Sequence, residues 1–99
     1  MTNASLAILA LIEAKPEKVA QVSDLLTSAI ALANEEEQTL NWYAVQLSET
    51  QFAIFDTFAH EEGRQAHLNG KIAAVLLSQA DELLIHAPDI KMARILAAK

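Results

Sequence analysis

The side chains best suited to chemistry in this sequence lie close together, between Asp56 and His67. Histidine titrates near neutral pH, so His67 can accept a proton or donate one to a developing oxyanion. Arg64 lies three residues earlier, on the same face of a predicted helix, and could hold an anionic substrate. A structural role for His67 is the alternative that the sequence slightly favours, because an imidazolium in the last turn before Gly70 interacts favourably with the helix dipole.

Asp56 places a carboxylate on an otherwise apolar strand face, since it shares its parity with Phe52 and Phe58. Buried acids can bind substrate or take part in catalysis. A salt bridge from Asp56 to Arg64 or Arg94 is the alternative, and it is the interpretation that the sequence favours.

The sequence offers little for a metal or an organic cofactor. There is no cysteine, which excludes thiolate metal centres and thiol catalysis. His60 and His67 are seven residues apart, whereas a ligand pair on a helix needs a shorter spacing, and Arg64 between them repels a cation. No phosphate-binding loop or dinucleotide fingerprint is present. We therefore expect no metal site and no cofactor.

Composition and charge restrict the partners. The 99 residues correspond to one domain, and the 53% hydrophobic content excludes disorder. Seven lysines and arginines against thirteen acidic residues give a net charge of −6, which argues against nucleic acid as a partner. The apolar run from Leu6 to Ile12 is too short to span a membrane and follows no basic segment, so we expect no membrane association and a cytoplasmic location.

The order of apolar segments predicts the elements that must position these side chains. Strands are predicted from Ser5 to Ala14, Leu40 to Leu47, Phe52 to Phe58 and Ile90 to Ala98, and helices from Pro16 to Ala33, His60 to Gly70 and Lys71 to Ile85. The last two helices form one helical stretch that is broken at Gly70. The three glutamates from Glu35 to Glu37 are interpreted as a solvated helix end and loop.

The resulting order, β-α-β-β-α-β, is typical of a ferredoxin-like α+β domain with a four-stranded antiparallel sheet and helices on one face. Apolar residues nevertheless occupy both faces of the first strand and of the last. The uncovered face of the sheet therefore needs a partner, and we expect a homodimer in which the two sheets face one another.

Aromatic side chains are candidates for a pocket wall. Trp42 and Tyr43 are adjacent on one strand and point to opposite faces, and the polarity of their neighbours does not decide which of them faces the helices. Phe52, Phe55 and Phe58 are interpreted as core and pocket wall. Tyr43 is either an acid–base hydroxyl or, as the sequence favours, a packing residue at the dimer interface.

Four segments of the chain carry a family resemblance. They are the run from Phe52 to Phe58, the triplets Glu62-Gly63-Arg64 and Ala66-His67-Leu68, and the stretch from Glu36 to Trp42. Together they resemble the antibiotic biosynthesis monooxygenase family of dimeric α+β barrels, and the resemblance extends from Leu6 to Ala97. The turn before the second strand lacks the Pro-Gly pair that is usual in that family.

The resemblance implies a cofactor-independent monooxygenase that oxidises a small aromatic, quinol- or polyphenol-type molecule with O₂. In such an enzyme His67 would be the acid–base group or oxyanion donor and Arg64 the anchor for an anionic substrate. The family also implies that Trp42 faces the interior. We expect four residues at the substrate: Trp42, Phe52, Phe55 and Asp56.

Two other functions remain as alternatives. Relatives that degrade haem use an asparagine on the first strand and a tryptophan near the third, and this sequence has neither, so haem degradation is disfavoured. A non-catalytic dimeric barrel that binds a small apolar metabolite, in a stress or regulatory role, is the second alternative.

Overall fold

A computed structural model of the chain describes residues 4–99. The strands are β1 (Leu6–Glu13), β2 (Thr39–Gln46), β3 (Gln51–Phe58) and β4 (Asp89–Arg94), and the helices are α1 (Val19–Ser28), α2 (Ile30–Ala33), α3 (Glu61–Leu68) and α4 (Lys71–Leu83). The strands form an antiparallel sheet in the order β2-β3-β1-β4. The predicted ferredoxin-like α+β fold is therefore confirmed.

The first strand occupies the interior of the sheet, where it pairs with β3 on one side and β4 on the other. This position explains why both of its faces are apolar. Ala10 and Ile12 point toward the helices and join Val22 and Leu26 of α1 in the main core. Ala7, on the opposite face of the strand, is also buried, because a strand with neighbours on both sides is shielded at its edges.

A second, smaller core lies under α2. Ala29, Ala33 and Ile72 form it, and Trp42 packs against both this cluster and the main core. Trp42 thus faces the helices, as the family resemblance implied, whereas Tyr43 is 55% exposed on the other face. No helix in the part of the chain that the structure describes is long and apolar enough to cross a membrane.

Two predicted elements differ from those of the structure. The helix predicted from Pro16 to Ala33 keeps these bounds, but it begins as a 3₁₀ turn, and a turn at Ala29 separates α1 from α2. At this turn the carbonyl oxygen of Leu25 accepts from the hydroxyl of Ser28 at 2.9 Å as well as from the backbone N–H of Ala29 at 3.1 Å. The last strand ends at Arg94, not Ala98, because Arg94 pairs with Leu6, the first residue of β1.

The face of the sheet away from the helices, called the open face from here on, carries a row of apolar side chains. Tyr43, Phe55 and Leu9 lie side by side across β2, β3 and β1, and the row ends on β4 at Lys91. Phe55 is 38% exposed and Val45, in the next row, is 45% exposed. We propose that a second copy of the chain covers the open face, since the same flat row in a partner is complementary to it.

The proposed dimer predicts a mass of two chains by light scattering at micromolar concentration. Phe55→Asp places a charge in the centre of the open face, so we expect this variant to have the mass of one chain. Leu77→Asp is the control, because Leu77 is 62% exposed on α4 and lies outside the open face. A wild-type protein with the mass of a single chain would contradict the dimer.

Candidate functional site

The imidazole of His67 lies between two carboxylates, one on each side of the ring. Nδ1 is 2.7 Å from Oε1 of Glu36, and Nε2 is 2.9 Å from Oδ2 of Asp56. The contact to Asp56 is short but poorly aligned for a hydrogen bond, so it is mainly an ion pair. Glu36, His67 and Asp56 are called the His67 triad from here on.

The triad is shielded from water to different depths. The side chain of Asp56 is 1% exposed and that of His67 is 8% exposed, whereas that of Glu36 is 20% exposed. Burial by itself lowers the pKa of His67, but the carboxylates of Asp56 and Glu36 beside the ring outweigh this effect and raise the pKa from 6.5 to about 9. His67 is therefore an imidazolium at neutral pH, and each of its ring nitrogens lies within 3 Å of a carboxylate oxygen.

Three separate parts of the fold supply the triad. Asp56 comes from β3, on the face toward the helices, and His67 comes from the last turn of α3. Glu36 comes from the segment between α2 and β2, where the hydroxyl of Thr39 also donates to its Oε1 at 2.7 Å. The ring of Phe58, which is fully buried, lies against His67 with the ring centres 5.5 Å apart.

The partner of Asp56 differs from the one that the sequence favoured. Asp56 does not pair with Arg64 or Arg94 but with His67, because α3 crosses the sheet so that its last turn lies over this position of β3. The interpretation of the three glutamates was wrong at Glu36, which is half-buried and bound, although Glu35 and Glu37 are exposed.

Glu36 and Thr39 are the site residues that sequence reasoning missed. Nothing in a run of three glutamates distinguishes the middle one. The spacing of Glu36 and Thr39, three residues apart between a helix and a strand, was the one available signal, since such a spacing permits a local hydrogen bond.

Arg64 fastens α3 to the sheet. Its Nη1 donates to the backbone carbonyl oxygens of Ala7 on β1 and Ala93 on β4, at 3.2 and 3.0 Å. Its other nitrogens donate to the carboxylate of Glu61, and these bonds lower the pKa of Glu61. The guanidinium therefore positions the helix that carries His67. Its N–H groups are bonded within the protein, whereas a residue that binds an anionic substrate needs N–H groups that are not already bonded.

A cleft of about 300 Å³ opens beside the triad, between α3 and the segment that follows α2. Glu36, Thr39 and His67 line it, together with Gly63 and Gly70. Two further glutamates and Lys71 stand at its rim, and Nζ of Lys71 is 3.9 Å from the carboxylate of Glu35. When the triad is included, the carboxylates at the cleft outnumber the positively charged side chains. The cleft therefore favours neutral or cationic molecules over anions.

Gly63 allows the close contact between α3 and the segment after α2. A Cβ atom at this position would lie 2.9 Å from Cβ of Gln38 and 3.2 Å from its carbonyl oxygen. Gly70 has a similar role, because a Cβ there would lie 3.2 Å from Oε2 of Glu36. Both glycines therefore help Glu36 to reach His67.

Of the predicted site residues, His67 is the one that lines the cleft. Phe52 is buried in the main core, four residues along β3 from Asp56, and Phe55 lies on the open face. Trp42 is the cross-strand neighbour of Asp56 and faces the same side. Of the four residues expected at the substrate, Trp42 and Asp56 lie side by side on the face toward the helices, and Asp56 contacts His67, while the two phenylalanines lie elsewhere.

The triad is not arranged as a metal centre. The two carboxylates contact opposite edges of the imidazole, so the ring separates them. Within residues 4–99, no group of three or more histidine, aspartate or glutamate side chains is placed to hold a metal ion.

The ferredoxin-like sheet and the helices over it are shared with several solved structures. A protein of unknown function from Nitrosomonas europaea, NE2512, superimposes with a TM-score of 0.95 at 47% identity, over 97% of this chain and 93% of that one. The chain belongs to the same family as NE2512.

More distant structures share the fold. A second protein from Nitrosomonas europaea, assigned provisionally as an antibiotic biosynthesis monooxygenase, has a TM-score of 0.83 at 10% identity, over 93% of this chain and 99% of that one. A protein from Caulobacter crescentus with the same provisional assignment has a TM-score of 0.81 at 13% identity, over 95% and 92% of the two chains. No protein-family model and no curated protein matches the sequence.

The raised pKa of His67 predicts that stability falls as the pH rises from 6.5 to 9. A group with a raised pKa in the folded state contributes fully below its ordinary pKa, and that contribution is lost as the pH passes the folded value. The difference between the ordinary pKa of 6.5 and the folded-state pKa of about 9 corresponds to about 3 kcal/mol in the free energy of unfolding. Denaturant unfolding at each pH measures this free energy. The His67→Gln variant is expected to remove this slope, and a wild-type stability that is flat over this range would contradict the assignment.

Gly63→Ala is predicted to loosen the triad. The added methyl group meets Gln38, so the segment that carries Glu36 must move away from α3, at a cost of about 1–3 kcal/mol. Losing the contact to Glu36 lowers the pKa of His67, which an NMR titration of the imidazole carbon-bound protons measures. Glu62→Ala, at an exposed position next to Gly63, is the control. An unchanged titration in Gly63→Ala would show that the close approach is dispensable.

Proposed function

We propose that this protein is a cofactor-independent oxygenase that uses O₂ to oxidise a small quinol- or polyphenol-type molecule in the cleft beside the His67 triad. The observation that carries the proposal is the imidazolium of His67 held between two carboxylates, of which Glu36 lines the cleft. The fold, shared with proteins assigned provisionally to the antibiotic biosynthesis monooxygenases, supports the same class of reaction.

The chemistry requires a proton acceptor more than any other group. A quinol that has lost a hydroxyl proton is electron-rich enough to pass an electron to O₂. In the overall reaction the quinol and O₂ give a hydroxyquinone and water, so that one oxygen atom enters the ring and the other leaves as water. The ring loses electrons to O₂, and no further reductant is needed. The protein must therefore take up the hydroxyl proton and stabilise the anion that forms.

Glu36 is the member of the triad placed to take this proton. Its carboxylate lines the cleft and is the most exposed of the three groups, whereas Asp56 is 1% exposed. Both hydrogen bonds to Glu36 end on Oε1, and Oε2 accepts none from the residues that the structure describes. Oε2 is thus the free oxygen of the site.

His67 acts through Glu36 and not directly on the substrate. Its two ring nitrogens already contact carboxylates, so the role expected from the sequence, direct proton transfer by the imidazole, becomes a positioning role. The imidazolium fixes Glu36, and its positive charge lowers the energy of an anion that forms next to it. Asp56 keeps His67 protonated and oriented.

Oxygen uptake with a panel of hydroquinones tests the proposal. We expect uptake with the wild-type protein and a loss of about 100-fold in kcat for Glu36→Gln, since general acid–base groups contribute at least this much. Glu37→Gln is the matched control, because Glu37 is a neighbouring, exposed residue of the same cleft.

For His67→Gln we expect a lower kcat with a changed pH profile, while a purely structural role would leave the pH profile unchanged. Two results would contradict the proposal: no oxygen uptake with any hydroquinone, or uptake that Glu36→Gln leaves within twofold of the wild type.

Binding without turnover is a second candidate function, and one observation favours it. A chamber of about 180 Å³, called the apolar chamber from here on, lies between α1, α2 and α4 above the sheet. Its lining is apolar apart from Ser28: Leu25, Leu26, Ser28, Ala29, Leu32, Ile54, Ile72, Val75 and Leu76. A protein that only binds would retain a small apolar ligand there, as native mass spectrometry would show, and would consume no oxygen.

A further inference from the structure

The segment between α2 and β2 is held against α3 by side chains. Residues 34–38 form this segment, which is called the gate from here on. Its backbone N–H groups that form hydrogen bonds donate to carbonyl oxygens three or four residues earlier in the chain. The gate is attached to α3 by the 2.7 Å contact between Glu36 and His67 and by the packing of Gln38 against Gly63. It can therefore leave α3 without breaking a backbone hydrogen bond to that helix.

The chain is fixed on both sides of the gate. On one side Ala33 is buried in the smaller core. On the other side the hydroxyl of Thr57 on β3 donates to Oδ1 of Asn41 at 2.8 Å. The register of β2 against β3 shifts between Thr39 and Asn41, which marks a bulge, and a bulged strand bends at that point. The bulge therefore provides a hinge about which the gate can turn while β2 stays in the sheet.

The two carboxylates of the triad respond differently when His67 loses its charge. A neutral imidazole has one N–H group, and its other nitrogen only accepts. Asp56 is 1% exposed and has no hydrogen-bond donor among the described residues, so the remaining N–H stays on Nε2, which faces Asp56. The lone pair of Nδ1 then repels the carboxylate of Glu36, which is 20% exposed and can turn toward water. Deprotonation of the ring therefore releases the gate and leaves the sheet unchanged.

Polar atoms behind His67 favour the opening of the gate. Nε1 of Trp42 and Oδ1 of Asp56 are buried without a hydrogen-bond partner among residues 4–99. The two side chains are cross-strand neighbours, and Trp42 directly follows Asn41 at the hinge. A buried polar group without a partner costs free energy. Water that enters when the gate opens can hydrate these atoms, which offsets part of the loss of the contact between Glu36 and His67.

We propose that residues 34–38 open and close over His67, and that the ion pair between Glu36 and His67 is the latch of this gate. A charged imidazole holds both carboxylates, and the gate is closed. A neutral imidazole stays with the buried Asp56, and the gate opens. The gate thus makes access to the interior sensitive to a single proton. The proposal does not depend on the oxidation reaction, because the latch acts in the protein without a ligand.

The pKa of His67 determines the pH at which the gate opens. Burial lowers this pKa, but Asp56 from β3 and Glu36 from the gate raise it to about 9. The ring is therefore charged below this pH and neutral above it. We expect the gate to be closed at neutral pH and to open as the pH rises through about 9.

Other charged side chains near the ring contribute less to the latch. Arg64, on the same helix as His67, is bonded to Glu61 and to the sheet. Lys71 of α4 lies 3.9 Å from the carboxylate of Glu35 in the gate, and both of these side chains are well exposed. Exposed ion pairs of this kind stabilise a structure only weakly. Glu36 is therefore the residue to change in a test of the latch.

The absence of cysteine allows one spin label to be attached at a chosen position. Glu37→Cys carries a nitroxide at an exposed position of the gate, and Glu62→Cys carries it at an exposed position of α3 as the control. Electron paramagnetic resonance spectra below and above pH 9 report how freely each label moves. We expect the gate label to become mobile with a midpoint near pH 9, while the label on α3 does not change.

Two substitutions of Glu36, each combined with the gate label, separate the latch from a general effect of pH. Glu36→Ala has no latch, so we expect a mobile label at every pH. Glu36→Gln can accept from the charged ring and donate to the neutral one, so we expect the label to stay immobile above pH 9. Glu35→Ala is the matched control, because Glu35 is an exposed glutamate of the same gate, and we expect it to behave as the wild type.

Three results would overturn the proposal. They are a gate label whose mobility does not change across pH 9, a Glu36→Gln variant that opens as the wild type does, and a transition that both labels share. In the last case the whole protein would be unfolding. Because no activity is measured, a protein that opens as described and oxidises no quinol would refute the proposed function and keep the gate.

Discussion

The buried carboxylate of Asp56 requires a cation beside it, and several parts of the fold supply and position that cation. A carboxylate that is 1% exposed is costly unless a charge and hydrogen bonds compensate for it. His67 supplies the charge, and it can do so at neutral pH because a second carboxylate, Glu36, helps to keep it protonated. Sheet, helix and connecting segment each contribute one member, so the triad holds together three parts of the chain that are far apart in sequence.

Two carboxylates that share one imidazolium leave an excess negative charge, and the difference in burial decides where it is accessible. Asp56 is enclosed and Glu36 borders the cleft. The buried carboxylate can therefore hold the ring in place while the exposed one meets a ligand. Arg64, whose type and position suggested an anion site, contributes by fixing α3 to two strands. Removing the charge of Arg64 would therefore affect the site indirectly, by changing the position of α3.

The fold was largely predictable from the sequence because its signals are local. The two apolar faces of β1, the helix start at Pro16 and the break at Gly70 place the elements in order. Boundaries failed where distant partners decide them, as at Arg94, where β4 ends because β1 ends.

The site was predictable only in part. Residue type singled out His67 and Asp56, but their pairing depends on how α3 crosses the sheet, and this crossing leaves no periodic signal. A formal charge made Arg64 and Arg94 the more plausible partners for Asp56. Glu36 was hidden because burial, which separates it from the adjacent glutamates, arises only when the segment after α2 closes on α3.

The chain has only two glycines, and both lie against the segment that carries Glu36. Gly63 faces Gln38 and Gly70 faces Glu36. Both glycines therefore lie where this segment contacts the helices. This offers a criterion for sorting homologues. In a relative with the three triad residues, a bulky side chain at either glycine position would push the segment away from α3. Small residues at both positions, together with the triad, would therefore identify the proteins that share this site.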